Sequence, residues 1–268
     1  MSPATFTPYA PLAALAALAV FAAAPAARLL AHDMWADAVD PQPGKPLAVI
    51  VGYGHSYPTL EAIPAEEYPL FQVRLAGPEG DVPLAPGEPN CNWTSAGPVK
   101  EGAYLALTDV KPVFWTRTSD GWAMKPKNET PGAGACGHFI ESAKGVVNVG
   151  NPGSDSVVTS PAGLPLEIVP GVNPASAKAG AAIPLTVLFK GEPLRGAEVS
   201  ARYAGFDKLT GSSDSKAFYG VTDVSGKLSF VPLVPGEWLV TVRNEEPYQD
   251  KAACDKTDYG TSLHFTIK

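Results

Sequence analysis

The sequence predicts an all-β protein made of two sandwich-like halves that follow an N-terminal signal peptide. Three observations carry that expectation. Glycine (26) and proline (28) are both abundant in a chain of 268 residues, while charged residues make up only 18%. Apolar and polar residues alternate over short runs bounded by Gly and Pro, and long runs of helical period are scarce. An uncharged Ala/Leu run stands near the start.

That run comes first. Residues 11–27, PLAALAALAVFAAAPAA, are followed by Arg28. They have the length of a signal-peptide apolar region and are short and alanine-rich for a membrane span. Residues 1–10 hold no Lys or Arg, so the α-amine alone supplies positive charge there. Two cleavage points fit. Ala24-Pro25-Ala26 obeys the small-x-small rule and would leave Ala27 first. Leu29-Leu30-Ala31 fits the rule less well, and cleavage there would instead leave His32 first. Residues 1–31 are assigned to the signal, and export to the periplasm is expected.

Residues 32–163 read as the first β-rich half. LAVIVGY is a strand, and FQVRLAGPEGDVPL is a strand, a turn and a shorter strand. GAYLALTDVKPVFWTRTSDGWAMK supplies two more, with Ser119-Asp120-Gly121 as a hairpin turn. A short helix is expected around Phe139 to Lys144, then a return to strand at Val146 to Val149. Gly150 to Gly163, rich in Gly, Ser and Pro, reads as the connection between halves.

Residues 164–268 form the second half. LPLEIVP, IPLTVLFKGEPLRGAEVSARYAG, YGVTDVSGKLSFVPLVPGEWLVTVRNE and SLHFTIK all alternate with period two. This is the pattern of an immunoglobulin-like sandwich of about seven short antiparallel strands. GEPLRGAEVSARY followed by TDVSGKLSFVPLVPGEWLVTV also resembles prealbumin-like and carboxypeptidase-regulatory-like modules.

Composition excludes some functions. A net charge of -7 and a pI near 5.1 argue against nucleic acid as a partner, which calls for a basic patch. Three cysteines, Cys91, Cys136 and Cys254, are too few for a disulfide scaffold, but two can pair in an oxidising compartment. Cys91 with Cys136, from the same half, is the first pairing expected, though spacing does not fix it. No phosphate loop, nucleophile elbow or HExxH helix is present, so no catalytic residue and no small organic substrate are expected.

Chemistry falls to four histidines. Neutral imidazole is the commonest protein ligand for late first-row metals. His264 alternates with Leu263 and Phe265 in SLHFTIK and is expected to face the surface. His138, in ACGHFIES, follows a flexible loop and is a candidate ligand. His55 sits in GYGHSYP, where glycines let a backbone bend close to a cation and Pro58 stiffens the exit. His32 opens HDMWADAVDP directly after the leader. If processing exposes His32, its α-amine and imidazole form a chelate and His55 supplies a third nitrogen. Such donors suit Ni(II), Co(II) or Cu(II), not Ca or Mg. Trp35 is expected to anchor the first strand in the core.

HDMW after a leader, GYGHSYP, the W-x-x-x-x-x-GW pattern of Trp115 to Trp122, FIESAKGVVNVG and TDVSGKLSFVPLVPGEWLVTV together resemble the DUF4198 family. The resemblance spans nearly all of the mature chain. It implies a periplasmic component of a cobalt or nickel uptake system, with a metal-transport permease in the membrane as partner. By resemblance, His32 and His55 match the family's histidines at the mature start and in the glycine turn, and His138 has no equally firm counterpart. Two other readings remain open: a copper protein using the same N-terminal chelate for storage or oxidation, and a structural or adhesive β-sandwich protein.

Overall fold

The computed structural model describes residues 33–87 and 92–268, except for the side chain of residue 66. The signal segment with its cleavage points, His32 and Cys91 lie outside the described residues. Among those described, no helix is long and apolar enough to cross a membrane.

The first half of the chain supplies β1 (Asp33–Val39), β2 (Pro46–Gly54), β3 (Phe71–Gly77), β4 (Gly80–Val82), β5 (Leu84–Gly87), β6 (Asn92–Pro98), β7 (Gly102–Val110), β8 (Val113–Thr118), β9 (Gly121–Ala123) and β10 (Cys136–Val149). The second half supplies β11 (Leu166–Pro170), β12 (Ile183–Phe189), β13 (Glu192–Pro193), β14 (Glu198–Tyr203), β15 (Phe218–Val221), β16 (Lys227–Phe230), β17 (Gly236–Pro247) and β18 (Lys256–Ile267). The hairpin expected at Ser119-Asp120-Gly121 joins β8 to β9, with Thr118 opposite Gly121.

The strands form three layers. The middle one is a ten-stranded sheet, in the order β15-β14-β17-β18-β10-β7-β3-β4 with β8 and β9 attached to β10. Strand alternation sends side chains to both of its faces. On β7, Leu105 and Leu107 enter one core with Ile168, Val187, Trp238 and Phe265, under the sheet made by β11, β12, β13 and β16. Tyr104 and Ala106 enter a second core with Met34, Val49, Val51 and Val147, under the sheet β1-β2-β6-β5. Each fully buried aliphatic side chain here is worth about 1.5–3 kcal/mol over leaving it in water. Both cores are sandwich cores, so the chain is all-β with sandwich packing.

The middle sheet runs through both halves. β10 pairs in parallel with β18, from Gly137 beside Lys256 to Gly145 beside His264. The connection at Gly150–Gly163 lies between β10 and β11, where composition changes but the middle sheet does not end.

Three expectations need correcting. Phe139 to Lys144 is not a helix but part of β10. This strand lies between β7 and β18 with both faces covered, so it lacks the wet face whose polar residues would mark period two. The disulfide joins Cys136 to Cys254, Cα atoms 5.1 Å apart, and not Cys136 to Cys91. The parallel pairing of β10 with β18 brings together cysteines 118 positions apart in sequence. His264 is 2% exposed instead of facing the surface, because β1 packs over its face of β18.

Candidate functional site

The site is built where β1 meets the turn after β2. The two strands are antiparallel, with Trp35 opposite Gly52 and Asp33 opposite Gly54. Trp35 lies across Gly52 so closely that a Cβ there would fall 1.9 Å from its ring. The indole is buried, edge-on to Tyr57 at 5.2 Å between ring centres and packed with Leu239 of β17. Trp35 is thus the core anchor expected.

In GYGHSYP it is Tyr57 that turns inward, to 1% exposure, and the Tyr57–Pro58 bond that follows is cis. The chain then folds back: the Thr59 amide donates to the Ser56 carbonyl at 2.6 Å and the Glu61 amide to the Tyr53 carbonyl at 2.8 Å. Gly54 permits this return, since a Cβ there would lie 2.7 Å from the Thr59 oxygen. His55 stays half exposed. Its amide donates to Glu61 Oε1 at 2.7 Å, and its Nδ1 lies 3.0 Å from each Glu61 oxygen.

The start of β1 is held by charge. Asp33 pairs with the buried Arg202 of β14 at 2.9 Å, and Arg202 also donates to the Ser213 carbonyl. Next to it Arg243 of β17 pairs with Glu141 of β10 at 3.1 Å. Burial raises the Glu141 carboxyl against the pull of Arg243, and neighbouring Asp258 and Asp33 raise it further. Burial lowers the Lys216 ammonium, as does Arg202 beside it. The Tyr53 hydroxyl is raised by burial first and then by Glu67, Glu141 and Glu61. Carboxylates and cations therefore alternate around this end of the strand pair, with Asp33 and Glu141 each answered by an arginine.

Beneath β1 lies a second polar group. The Ser262 hydroxyl donates to the Met34 carbonyl at 2.5 Å. His264 Nδ1 approaches Asp37 Oδ1 at 3.6 Å, too far for a hydrogen bond. Its ring faces Tyr57, 5.9 Å between centres. Neither His264 Nδ1 nor Tyr57 Oη has a hydrogen-bond partner among the described residues. Burial lowers the His264 imidazole to about 4 and raises the Asp37 carboxyl to about 6.

Of the sequence-predicted site residues, His55 stands at the turn and His32 lies outside the described residues. His138 sits on β10 two positions from Ile140 and three from Glu141, so alternation directs it away from the Glu141 face. It packs against Phe114 at 4.6 Å and Tyr248 at 5.2 Å between ring centres, with Nδ1 3.4 Å from Thr257 Oγ1. Burial lowers its imidazole. The fold thus separates His138 from the His55 turn by the thickness of the middle sheet. Among the described residues no three His, Cys, Asp or Glu side chains are grouped to hold a metal. Sequence reasoning missed Glu61 and Asp33. The first carried a legible signal, an acid on the far side of the histidine's own turn.

Comparison with known proteins adds a family. The profile described as "Domain of unknown function (DUF4198)" matches residues 29–246. No curated protein matches. Solved structures that align include the D0-D1 domain of intimin, at 16% identity over 88% of this chain and 98% of that one. A two-domain fibronectin type III segment of chicken tenascin aligns at 10% identity, over 88% of this chain and 98% of that one. Fibronectin(III)-like modules of Clostridium thermocellum CbhA align at 12% identity, over 87% and 94%. All three have a TM-score of 0.22, too low to transfer anything to this chain. What the matched residues establish is membership: the chain belongs to the DUF4198 family.

Proposed function

We propose that this protein is an exported binder of a divalent transition metal, nickel or cobalt before copper, which passes its ion to a transport permease in the membrane. One observation carries the reading. The β1–β2 ladder ends at Asp33 opposite Gly54, and His32 and His55 are each one peptide bond beyond those two residues. Cleavage after Ala31 leaves His32 with both an amine and an imidazole, a two-nitrogen chelate, to which His55 adds a third nitrogen.

Supporting chemistry surrounds the turn. Glu61 and Glu67 stand beside the turn as carboxylates that draw cations, while the charge of Glu141 is answered by Arg243. The Asp33–Arg202 pair fixes the start of β1. His55 is 47% exposed, and cargo that must be handed on needs a site open on one side. Nitrogen donors favour late first-row ions over Ca and Mg. His138 stays outside this site.

Titration of the exported chain with Ni, Co and Cu at neutral pH tests the reading. His55→Ala is expected to lose at least tenfold in affinity, about 1.4 kcal/mol. Unchanged affinity removes His55 from the site. A clear preference for copper, with peroxide consumption, moves the assignment to a copper chelate.

A further inference from the structure

Glu61 holds His55 by two different atoms. The His55 amide donates to Oε1 at 2.7 Å, and Nδ1 lies 3.0 Å from both Oε1 and Oε2. The glutamate is itself fixed, because its own amide donates to the Tyr53 carbonyl. Gly54 leaves room for the approach, since a Cβ there would meet the Glu61 side chain at 3.2 Å. An ionised carboxylate only accepts, so the proton of a neutral ring in this position sits on Nδ1 and the lone pair on Nε2.

We infer that Glu61 is the positioning residue that locks the His55 imidazole in its Nδ1–H tautomer and makes Nε2 its metal-donor atom. This rests on the metal-binding reading above. Histidines that ligate metals commonly donate their second N–H to a carboxylate, which fixes ring orientation and raises ligand basicity. A surface pair kept only for stability would matter little, since His55 and Glu61 are 47% and 40% exposed and water screens such pairs. The arrangement therefore serves geometry more than stability.

Long-range proton–nitrogen NMR of the exported chain, labelled at histidine nitrogens and recorded metal-free, reads the tautomer directly. Wild type is expected to show the Nδ1–H form at His55. Glu61→Ala is expected to shift it toward the Nε2–H form that free histidine favours. Nickel affinity is expected to fall about tenfold or more in Glu61→Ala. Glu61→Gln, whose amide oxygen still accepts from Nδ1–H, is expected to keep the tautomer and recover most of the affinity. A wild-type His55 in the Nε2–H form overturns the positioning role even where metal binds. So does a Glu61→Ala protein that binds nickel like wild type. If His55→Ala also binds like wild type, it is the metal reading that fails.

Discussion

Lys144 Nζ lies 2.8 Å from Glu167 Oε1, with both side chains sealed from solvent, and the pair ties the middle sheet to β11. Lys144 also donates to the Ile168 carbonyl, and Glu167 accepts the amides of Ala162, Gly163 and Leu164. Removing one partner of a buried pair strands the other charge, at about 3–5 kcal/mol. Glu167→Gln is therefore expected to destabilise strongly, read as a fall in urea midpoint. Lys144→Met is expected to cost less, because three amides still serve Glu167. Equal losses would contradict this account of the pair.

The Asp33–Arg202 pair makes a prediction about the metal site. Arg202 is nine-tenths buried and reaches the first described residue of β1. Arg202→Met is expected to release that strand end and to weaken metal binding, although Arg202 is no ligand. Titration of the variant beside wild type checks this. Intact affinity in a folded variant would show that the pair has no part in the site.

His264 and Asp37 give stability a pH dependence of opposite signs. Burial holds the His264 imidazole at about 4 instead of 6.5. Its contribution is complete above pH 6.5 and is lost as pH falls through 4, about 3 kcal/mol at 1.36 kcal/mol per unit. Burial raises the Asp37 carboxyl from 3.8 to about 6. Its contribution is present below 3.8 and lost as pH rises through 6, by a smaller amount because Asp37 is partly exposed. The two trends offset each other in the native protein. Relative to wild type, His264→Leu is expected to gain stability on acidification and Asp37→Asn to lose it, in urea midpoints taken across this window. Parallel profiles for all three proteins would acquit the pair.

The disulfide is checked by counting thiols. Alkylation of the denatured, unreduced chain is expected to label one cysteine, Cys91, and to leave Cys136 and Cys254 joined. Breaking a cross-link that closes so long a loop is expected to cost about 2–5 kcal/mol. A labelled Cys254 would contradict the pairing.

Much of this was legible in the sequence, and the failures share a cause. The run from Leu47 to Val51 and the Ser119–Gly121 hairpin were readable because their signals are local. β10 was misread around Ile140 and Ala143 because a strand covered on both faces has no polar alternation. His264 was misplaced for the same reason, since opposing it to Leu263 and Phe265 assumes that one face of β18 is wet. The Cys136–Cys254 bridge depends on a parallel pairing between distant segments, which no local pattern announces. At the site, the histidine turn was readable and its partner was not. That Tyr57 points inward is decided by tertiary packing against Trp35 and Leu239, and Glu61 returns to His55 through hydrogen bonds that form only once the turn has folded.

Native mass spectrometry of the protein purified from the exported fraction, with nickel or cobalt supplied, tests the central claim most directly. One spectrum gives both the first residue and the bound ion. The account predicts a chain that begins at His32, carries one ion, and loses it in His55→Ala. A chain that begins at Ala27, or one that keeps its ion without His55, would contradict it.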